Sequence, residues 1–348
     1  MAGNPVTVPG DLPTRGRAGG AILSTGLAHE EGSVTMTEAV PLRAHGVSKR
    51  FGRPWKRGKW ALDDVDLEIP AGCVTALVGP NGAGKTTFIR ICMAFEKPNR
   101  GAVEVSGVNP RRNVARALRH IGYVPQNPAP FRGLSVEDHL TAARALHRTF
   151  DVPYARHRIE QLGIPLDQRA DTLSGGQAAQ LGLAIALGTR APLLLLDEPL
   201  ASLDPLARRE FIHVLLEAVR QDGASALLSS HIVTDVEEAS DRITILGGGK
   251  ILLDTPLETA LHGHVLAEGD ERPANHPEAV KVGAFPGRHG KKLTLWRATE
   301  PEKGSAGAGA DPSGAGGRGD EAAGVAGLED VVLGYLAAGR AEAGLRLD

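Results

Sequence analysis

The hydrophobic positions of this chain fall into short apolar runs, each followed by a loop and a helical stretch. Residues 74–78 are almost wholly apolar, and a glycine-rich turn and a helical pattern over 86–94 follow them. Similar apolar runs recur at 193–197, 226–229 and 243–246, with amphipathic helical patterns between them. Strands that alternate with helices are typical of a parallel sheet covered on both faces. The pattern predicts an α/β fold with a mostly parallel core sheet.

Two further patterns adjoin this core. Val65, Leu67 and Ile69 alternate with acidic residues, which is the period of a half-buried strand and predicts an N-terminal antiparallel β subdomain. The segment from 114 to 188 is mostly helical in pattern and is interrupted by prolines. It predicts an inserted helical subdomain over about residues 126–188. Two apolar runs that flank Gly247 predict a terminal hairpin.

The two ends of the chain lack the α/β pattern. Residues 1–37 are rich in Pro, Gly, Thr and Ser, which predicts a disordered leader. Residues 261–327 predict an irregular Gly/Ala-rich tail, with one possible strand over 291–296. Segment 328–348 predicts a C-terminal helix that docks on the protein. The apolar residues at helical spacing are Leu328, Val331, Val332, Tyr335 and Leu336.

Composition narrows the classes of function. The 348 residues carry a formal net charge of -2, which argues against a protein that depends on nucleic-acid phosphates, so no nucleic-acid partner is expected. The two cysteines, Cys73 and Cys92, are too few for a disulfide framework and favour a reducing cytoplasm. No run approaches the 18 or so apolar residues of a membrane span. Any membrane role is therefore expected to be peripheral.

The strongest chemical signal is a glycine-rich loop between a buried strand and a helix. It has the complete G-x-x-x-x-G-K-[ST] pattern, in the context that favours a P-loop over a plain glycine-rich turn. Its glycines allow backbone amides to surround phosphate oxygens. Lys85 is expected to reach the β- and γ-phosphates of a nucleotide, and Thr86 is expected to ligate Mg²⁺. The nucleotide-binding residues of this loop are Gly79, Pro80, Asn81, Gly82, Ala83, Gly84, Lys85, Thr86 and Thr87.

Two carboxylates follow the apolar run of leucines at 193–196. Ligands bind at the carboxyl ends of strands in such sheets, so Asp197 is a candidate to hold Mg²⁺. Glu198, one residue further on, is the candidate to polarise the attacking water. The alternative is that both residues only cap the helix predicted from Pro205.

A third motif, Leu173, Ser174, Gly175, Gly176 and Gln177, lies between these two. Alone, Ser-Gly-Gly is only a good helix N-cap, but together with the other two motifs it resembles the signature of ATP-binding-cassette (ABC) ATPases. The resemblance extends over about residues 42–257 and implies a P-loop NTPase, here an ABC ATPase domain over 38–260. Where basic residues are common in that family, this chain has Ala178, Ala179, Gln180 and Ile185.

The resemblance assigns further residues. Gln126 matches the Q-loop glutamine, expected to bind Mg²⁺ and take part in catalysis, and His231 matches the catalytic switch histidine. Phe51 has the place of the aromatic that stacks on adenine, and Asp204 that of the D-loop aspartate. Simpler alternatives stay open. Phe51 and His231 could be core residues, and Trp60 could stack on adenine instead of Phe51. Gln126 could be a solvated loop residue, and Asp204 could only cap a helix.

The family also implies partners. Two nucleotide domains bind ATP head to tail, so Ser174 is expected to face the P-loop of a second domain, in a homodimer or with a paralogue. Because only one cassette and no membrane span are present, we expect a separate transmembrane permease and a peripheral position on the cytoplasmic side of the membrane. The arrangement of residues 199–205 and the short, strand-poor tail resemble exporters of the ABC type-two class and favour export over import. The alternative is a non-transport ABC-type ATPase in a soluble or nucleic-acid-associated complex.

Overall fold

The computed structural model describes residues 40–52, 58–201, 203–287, 290–298 and 324–342. The predicted leader over 1–37, residues 299–323 of the tail and residues 343–348 of the last predicted helix lie outside the described residues. In chain order the helices and strands are β1 Leu42–Arg50, β2 Trp60–Ile69, β3 Val74–Val78, α1 Lys85–Cys92, β4 Arg100–Val105, α2 Val114–Leu118, β5 Ile121–Val124, α3 Val136–Leu146, α4 Val152–Gln161, α5 Gly175–Gly188, β6 Leu193–Asp197, α6 Pro205–Asp222, β7 Ser225–Ser230, α7 Val233–Ala239, β8 Arg242–Gly247, β9 Lys250–Pro256, α8 Leu257–His262, β10 His264–Glu268, β11 Val280–Pro286, β12 Lys292–Arg297, β13 Gly324–Val325 and α9 Leu328–Glu342.

A six-stranded sheet forms the centre of the fold. Its strand order is β5-β6-β7-β3-β8-β9, and every pair is parallel except β8 and β9. Strands β3 and β6 are buried along their whole length, which explains their unbroken apolar sequence. The predicted parallel core and the terminal hairpin are confirmed. The carboxyl ends of β3, β6 and β7 meet at one edge, where the candidate catalytic residues follow.

The N-terminal antiparallel sheet has the order β2-β1-β4, as the alternating pattern predicts. Its inner residues, among them Val65, Leu67 and Ile69, share a core with helix α1 and with leucines of β6. This packing fixes the helix that follows the P-loop against two sheets.

The helical segment contains one strand that the pattern did not show. Strand β5 lies within the segment assigned to helices and pairs in parallel with β6. It is only four residues long and contains Gly122, so its apolar pattern is too short to distinguish a strand from a helix. Helices α3, α4 and α5 form the predicted helical subdomain around a core that includes Phe150 and Ile159.

For the described part of the tail, residues 261–287, 290–298 and 324–327, the prediction of an irregular structure is wrong. Strands β10 to β13 form an antiparallel sheet of order β11-β12-β10-β13, and the possible strand at 291–296 corresponds to β12. Glycine and proline residues in and between these strands interrupt the alternation of apolar and polar residues that predicts a strand. In β11 the register shifts between Lys281 and Gly283, and a Cβ at Gly283 would lie 2.2 Å from the carbonyl oxygen of Gly334. The glycine that weakens the strand signal is thus the one that lets α9 approach.

The C-terminal helix α9 docks as its spacing predicts. Leu328, Val331, Val332 and Tyr335 are buried against β11, β12 and the core strand β8, in one continuous cluster. The core of the tail is therefore continuous with that of the six-stranded sheet. Among the described helices, none is long and apolar enough to cross a membrane.

Candidate active site

The glycine-rich loop turns tightly between β3 and α1. Gly82 and Gly84 have φ of 79° and 115°, in the left-handed region that favours glycine. A Cβ at Gly84 would lie 2.3 Å from the carbonyl oxygen of Ala61, and one at Gly79 would lie 2.2 Å from that of Leu246. The loop is thus pressed against both sheets. It borders a cleft of about 430 Å³, lined by Phe51, Ala61, Asn81, Gly82, Ala83, Gly84, Lys85, Thr86, Thr87, Gln126 and Glu198.

Lys85 is a buried cation at the base of this cleft. Its Nζ donates to the carbonyl oxygen of Gly79 at 2.6 Å and lies 3.0 Å from Oε1 of Glu198. Both side chains of the pair are nearly inaccessible, so the attraction is little screened by solvent. The loop thus holds the positive charge of Lys85 where phosphate oxygens would bind. The carboxylate of Glu198 is the partner of this charge.

Asp197 ends β6 beside the P-loop helix. Its Oδ1 accepts hydrogen bonds from the hydroxyls of Thr86 and Ser229, each at 3.0 Å. Burial raises the pKa of Asp197, and these two hydrogen bonds oppose that rise. A carboxylate and a hydroxyl are hard oxygen donors of the kind that Mg²⁺ prefers, and one or two carboxylates suffice for it beside nucleotide phosphates. The residues present therefore fit Mg²⁺.

Glu198 is the point at which the catalytic candidates converge. Its Oε2 accepts from Nε2 of Gln126 at 3.1 Å and lies 3.2 Å from Nδ1 of His231. Its backbone has φ of 47°, a conformation that residues other than glycine rarely adopt and that is found at strained functional sites. The carboxylate contacts a cation, an amide and an imidazole. Such an arrangement can place a base and hold it in one orientation.

Ser229 belongs to the candidate site and was not predicted from the sequence. Its Oγ accepts from the backbone N–H of Glu198 at 2.8 Å and donates to Asp197 at 3.0 Å. One hydroxyl thus fixes both acidic residues. The available signal was the parallel pairing of β6 and β7, in which Ser229 lies opposite Asp197. That pairing could be inferred only if these two strands were known to be neighbours.

The aromatic candidate Phe51 lines the cleft and is 49% exposed, so it is not a core residue. Nζ of Lys49 lies 4.8 Å from the centre of its ring. Trp60, the alternative, has the guanidinium groups of Arg50 and Arg100 at 5.1 and 5.8 Å and is not among the residues that line the cleft.

The signature and D-loop residues lie apart from this cleft. Ser174 caps α5, accepting from the N–H of Gln177, whose side chain accepts in return from Ser174. Asp204 caps α6 through the N–H groups of Leu206 and Ala207. The structure therefore brings Lys85, Thr86, Gln126, Asp197, Glu198 and His231 together. It leaves Ser174, Gly175, Gly176, Gln177 and Asp204 outside the cleft of their own chain.

Comparison with known proteins bears on this site. The family model described as ABC transporter matches residues 62–201. The phosphonates import ATP-binding protein PhnC of Alcaligenes faecalis is 34% identical over 242 residues, covering 65% of this chain and 86% of that protein. The uncharacterized ABC transporter ATP-binding protein YdbJ of Bacillus subtilis strain 168 is 29% identical over 219 residues, covering 62% of this chain and 70% of that protein.

A solved ATP-binding subunit of an ABC transporter matches with 27% identity and a TM-score of 0.56, covering 63% of this chain and 91% of that one. The ATP-binding cassette MJ0796, solved as a dimer with ADP and Pi, has the same fold at 21% identity and a TM-score of 0.56, covering 62% and 98%. The exporter class, expected from residues 199–205 and from a strand-poor tail, finds no support. The tail contains a four-stranded sheet, and PhnC is named an import protein.

Proposed function

Since this chain belongs to the ATP-binding subunits of ABC transporters, ATPases coupled to transport, we propose that it powers the import of a small anionic solute. The observation that carries the catalytic part is the convergence of Lys85, Gln126 and His231 on the carboxylate of Glu198. Support for import and for a phosphonate-like solute comes from the names of several curated relatives that are 32–35% identical.

In the proposed reaction, the ammonium of Lys85 binds the β- and γ-phosphates of ATP. These oxygens compete with Glu198 for the same cation, because Nζ of Lys85 lies 3.0 Å from its carboxylate. Glu198 then accepts a proton from the water that attacks the γ-phosphorus, and ADP leaves. Gln126 and His231 hold the carboxylate in position, and His231 can donate a hydrogen bond to the γ-phosphate.

Mg²⁺ is proposed to be held by Thr86 and Asp197, with Gln126 as a further ligand. The ion would neutralise charge on the transferring phosphoryl group. Asp197 depends on its two hydroxyl neighbours for orientation, because Thr86 and Ser229 both donate to its Oδ1. Phe51 is proposed to stack on adenine at the mouth of the cleft.

The active assembly is proposed to be a head-to-tail dimer. Ser174 is exposed at the N-terminus of α5, where the helix dipole favours an anion. The residue is outside its own nucleotide cleft, so a γ-phosphate bound to a second nucleotide domain is the ligand it suits. Asp204 is exposed in the same way at the start of α6.

A separate permease is proposed to dock on the loop after Gln126, with the chain peripheral on the cytoplasmic face of the membrane. Phe131 in this loop is 69% exposed and stacks on His139, with ring centres 5.9 Å apart. The N–H of Phe131 donates to Nε2 of His139 at 3.0 Å, and Nδ1 of His139 donates to the carbonyl oxygen of Ser135 at 2.7 Å. The buried histidine thus presents the exposed ring as a rigid anchor.

Transport by reconstituted vesicles tests the proposal. The chain and its co-purified permease are placed in liposomes with ATP on the side that the chain faces, and a labelled alkylphosphonate is added on the opposite side. We expect accumulation on the ATP side, and none with Lys85→Ala, which removes the cation that binds phosphate. In a second set of vesicles the labelled alkylphosphonate is loaded on the ATP side instead, and its ATP-dependent movement away from that side would overturn import. Equal ATPase activity in Lys85→Ala and in the unmodified protein would overturn the catalytic assignment.

A further inference from the structure

Arg208 links two segments that face ATP in the proposed dimer. It lies in the first turns of α6, just after Asp204. Its Nη1 lies 3.2 Å from Oδ1 of Asp235 in α7, and its Nη2 donates to the carbonyl oxygen of Leu203 at 3.4 Å. One planar guanidinium therefore holds the backbone next to Asp204 and the helix next to His231.

The carboxylate at the far end of this link is deeply buried. Asp235 is 3% exposed, so its charge depends on Arg208 for compensation. Burial raises the pKa of Asp235, whereas the charges of Arg208 and His231 oppose that rise and that of Glu238 adds to it. His231 lies just before the start of α7, the helix that carries Asp235. Because a buried carboxylate is costly without its partner, a movement of Arg208 is expected to carry α7 with it.

The same turn of α6 also contacts the signature helix. Nε2 of Gln180 donates to the carbonyl oxygen of Ala207 at 3.5 Å, and a Cβ at Gly176 would lie 3.3 Å from the Cβ of Ala207. Gln180 is one of the residues at which this chain departs from the family pattern. Residues at the start of α6 therefore contact α5, the backbone of Leu203 and α7.

The polar groups at this junction are only partly satisfied. Among the described residues, Oε1 of Gln180, Nε of Arg208 and Oδ2 of Asp235 are buried and have no hydrogen-bond partner. Such groups are costly, and a network that is incomplete in one arrangement is suited to rearrange.

From these contacts we infer that Arg208 is a positioning residue that couples the two nucleotide sites of the dimer. Contact of Leu203 and Asp204, the two residues before α6, with the second nucleotide domain moves the backbone of Leu203. Arg208 transmits this movement through Asp235 to His231 and Glu198 of the same chain. The inference rests on the proposed dimer. It assigns to Arg208 an effect on the rate of hydrolysis and on its cooperativity, and none on ATP binding by the isolated cleft.

The test compares Arg208→Gln with Arg209→Gln, a neighbouring exposed arginine on the same helix. We expect Arg208→Gln to lower kcat about tenfold with KM for ATP nearly unchanged, and to reduce the Hill coefficient of hydrolysis towards 1. Arg209→Gln is expected to match the unmodified protein. An unchanged kcat and Hill coefficient in folded Arg208→Gln would overturn the inference.

A charge exchange separates positioning from folding. Arg208→Asp combined with Asp235→Arg keeps an ion pair across the same junction, and circular dichroism establishes whether each variant is folded. We expect the pair to recover most of the cooperativity that Arg208→Asp loses. Recovery of melting temperature without recovery of cooperativity would show a structural role only and overturn the inference.

The dimer itself is checked in the Glu198→Gln background by chromatography with ATP. If that protein does not dimerise, the proposed assembly fails, and the inference fails with it. If it dimerises and the Arg208 variants behave like the unmodified protein, only the inference fails.

Discussion

The nucleotide cleft and the C-terminal sheet are both built around buried strands, but they use different chemistry. In the cleft, Asp197, Glu198 and Ser229 follow or end parallel strands and are linked by hydrogen bonds and one buried ion pair. In the C-terminal sheet, Leu295 of β12 and Val331 of α9 are buried among other apolar side chains. Polar contacts therefore hold the nucleotide cleft together, whereas apolar packing holds the C-terminal sheet together.

The difference determines how each region tolerates change. A polar contact in the cleft depends on particular atoms at particular distances, so even a substitution of similar size removes it. Apolar packing depends mainly on volume, so similar hydrophobic residues can replace one another at small cost. Substitutions in the cleft are therefore expected to reduce activity, and substitutions in the C-terminal sheet to reduce stability.

The largest effect is expected from Glu198→Gln. The amide keeps the size of the side chain but cannot accept a proton, so ATP hydrolysis should fall by about 10²–10⁴-fold while ATP still binds. The ATP-loaded dimer should then accumulate in size-exclusion chromatography with ATP and magnesium. Adding Ser174→Arg should abolish that dimer by crowding the γ-phosphate. A monomeric protein with normal hydrolysis would contradict both the base and the dimer.

In the C-terminal sheet, Leu295→Ala should cost stability instead. Leu295 is fully buried against α9, near Gly334, and the cavity left by its truncation should lower the free energy of unfolding by about 2–5 kcal/mol. Urea titration measures this loss, with Val325→Ala, at an 80% exposed position, as control. ATPase activity per folded molecule should stay close to normal. A large loss of specific activity would show that the two regions are coupled more closely than their packing indicates.

A smaller effect is expected from Ser229→Ala. It removes the acceptor for the N–H of Glu198 and the donor to Asp197, so kcat should fall about tenfold through loss of orientation. Ser225→Ala is the matched control at the other end of β7, where the hydroxyl accepts from Gly72. If both variants lower kcat equally, the effect belongs to the strand and not to the acidic residues.

The smallest effect concerns acid sensitivity of the C-terminal region. Burial lowers the pKa of His264, whose Nδ1 lies 2.9 Å from the carbonyl oxygen of Ala260 and whose Nε2 lies 3.2 Å from the hydroxyl of Tyr335. The imidazole of His264 therefore binds a proton more readily in the unfolded chain than in the folded protein. The free energy of unfolding should fall as the pH drops below about 6.5. His264→Gln should flatten that part of the dependence of the urea midpoint on pH. An identical slope in both proteins would exclude His264 as its source.

Lys85, Asp197 and Glu198 lie close together, as their motifs predict. Their positions could be predicted because phosphate and metal binding require these residue types next to an apolar strand. Ser229 could not, because its role depends on which strands are neighbours in the sheet. The C-terminal sheet was missed for another reason: it packs through ordinary apolar residues, and Gly283, needed for the approach of α9, interrupts the alternation.

The close approach of Gly79 and Gly84 to the backbone of both sheets has a consequence for the gene. Any single-base change in a glycine codon that changes the amino acid adds at least a β-carbon, and at both positions that carbon would collide with a carbonyl oxygen. Gly82 differs, because nothing lies within 4 Å of a Cβ there and only its φ limits the choice, so Asn or Asp is the most tolerable replacement. Missense variants at the codons for Gly79 and Gly84 should therefore reduce the amount of folded protein as well as catalysis.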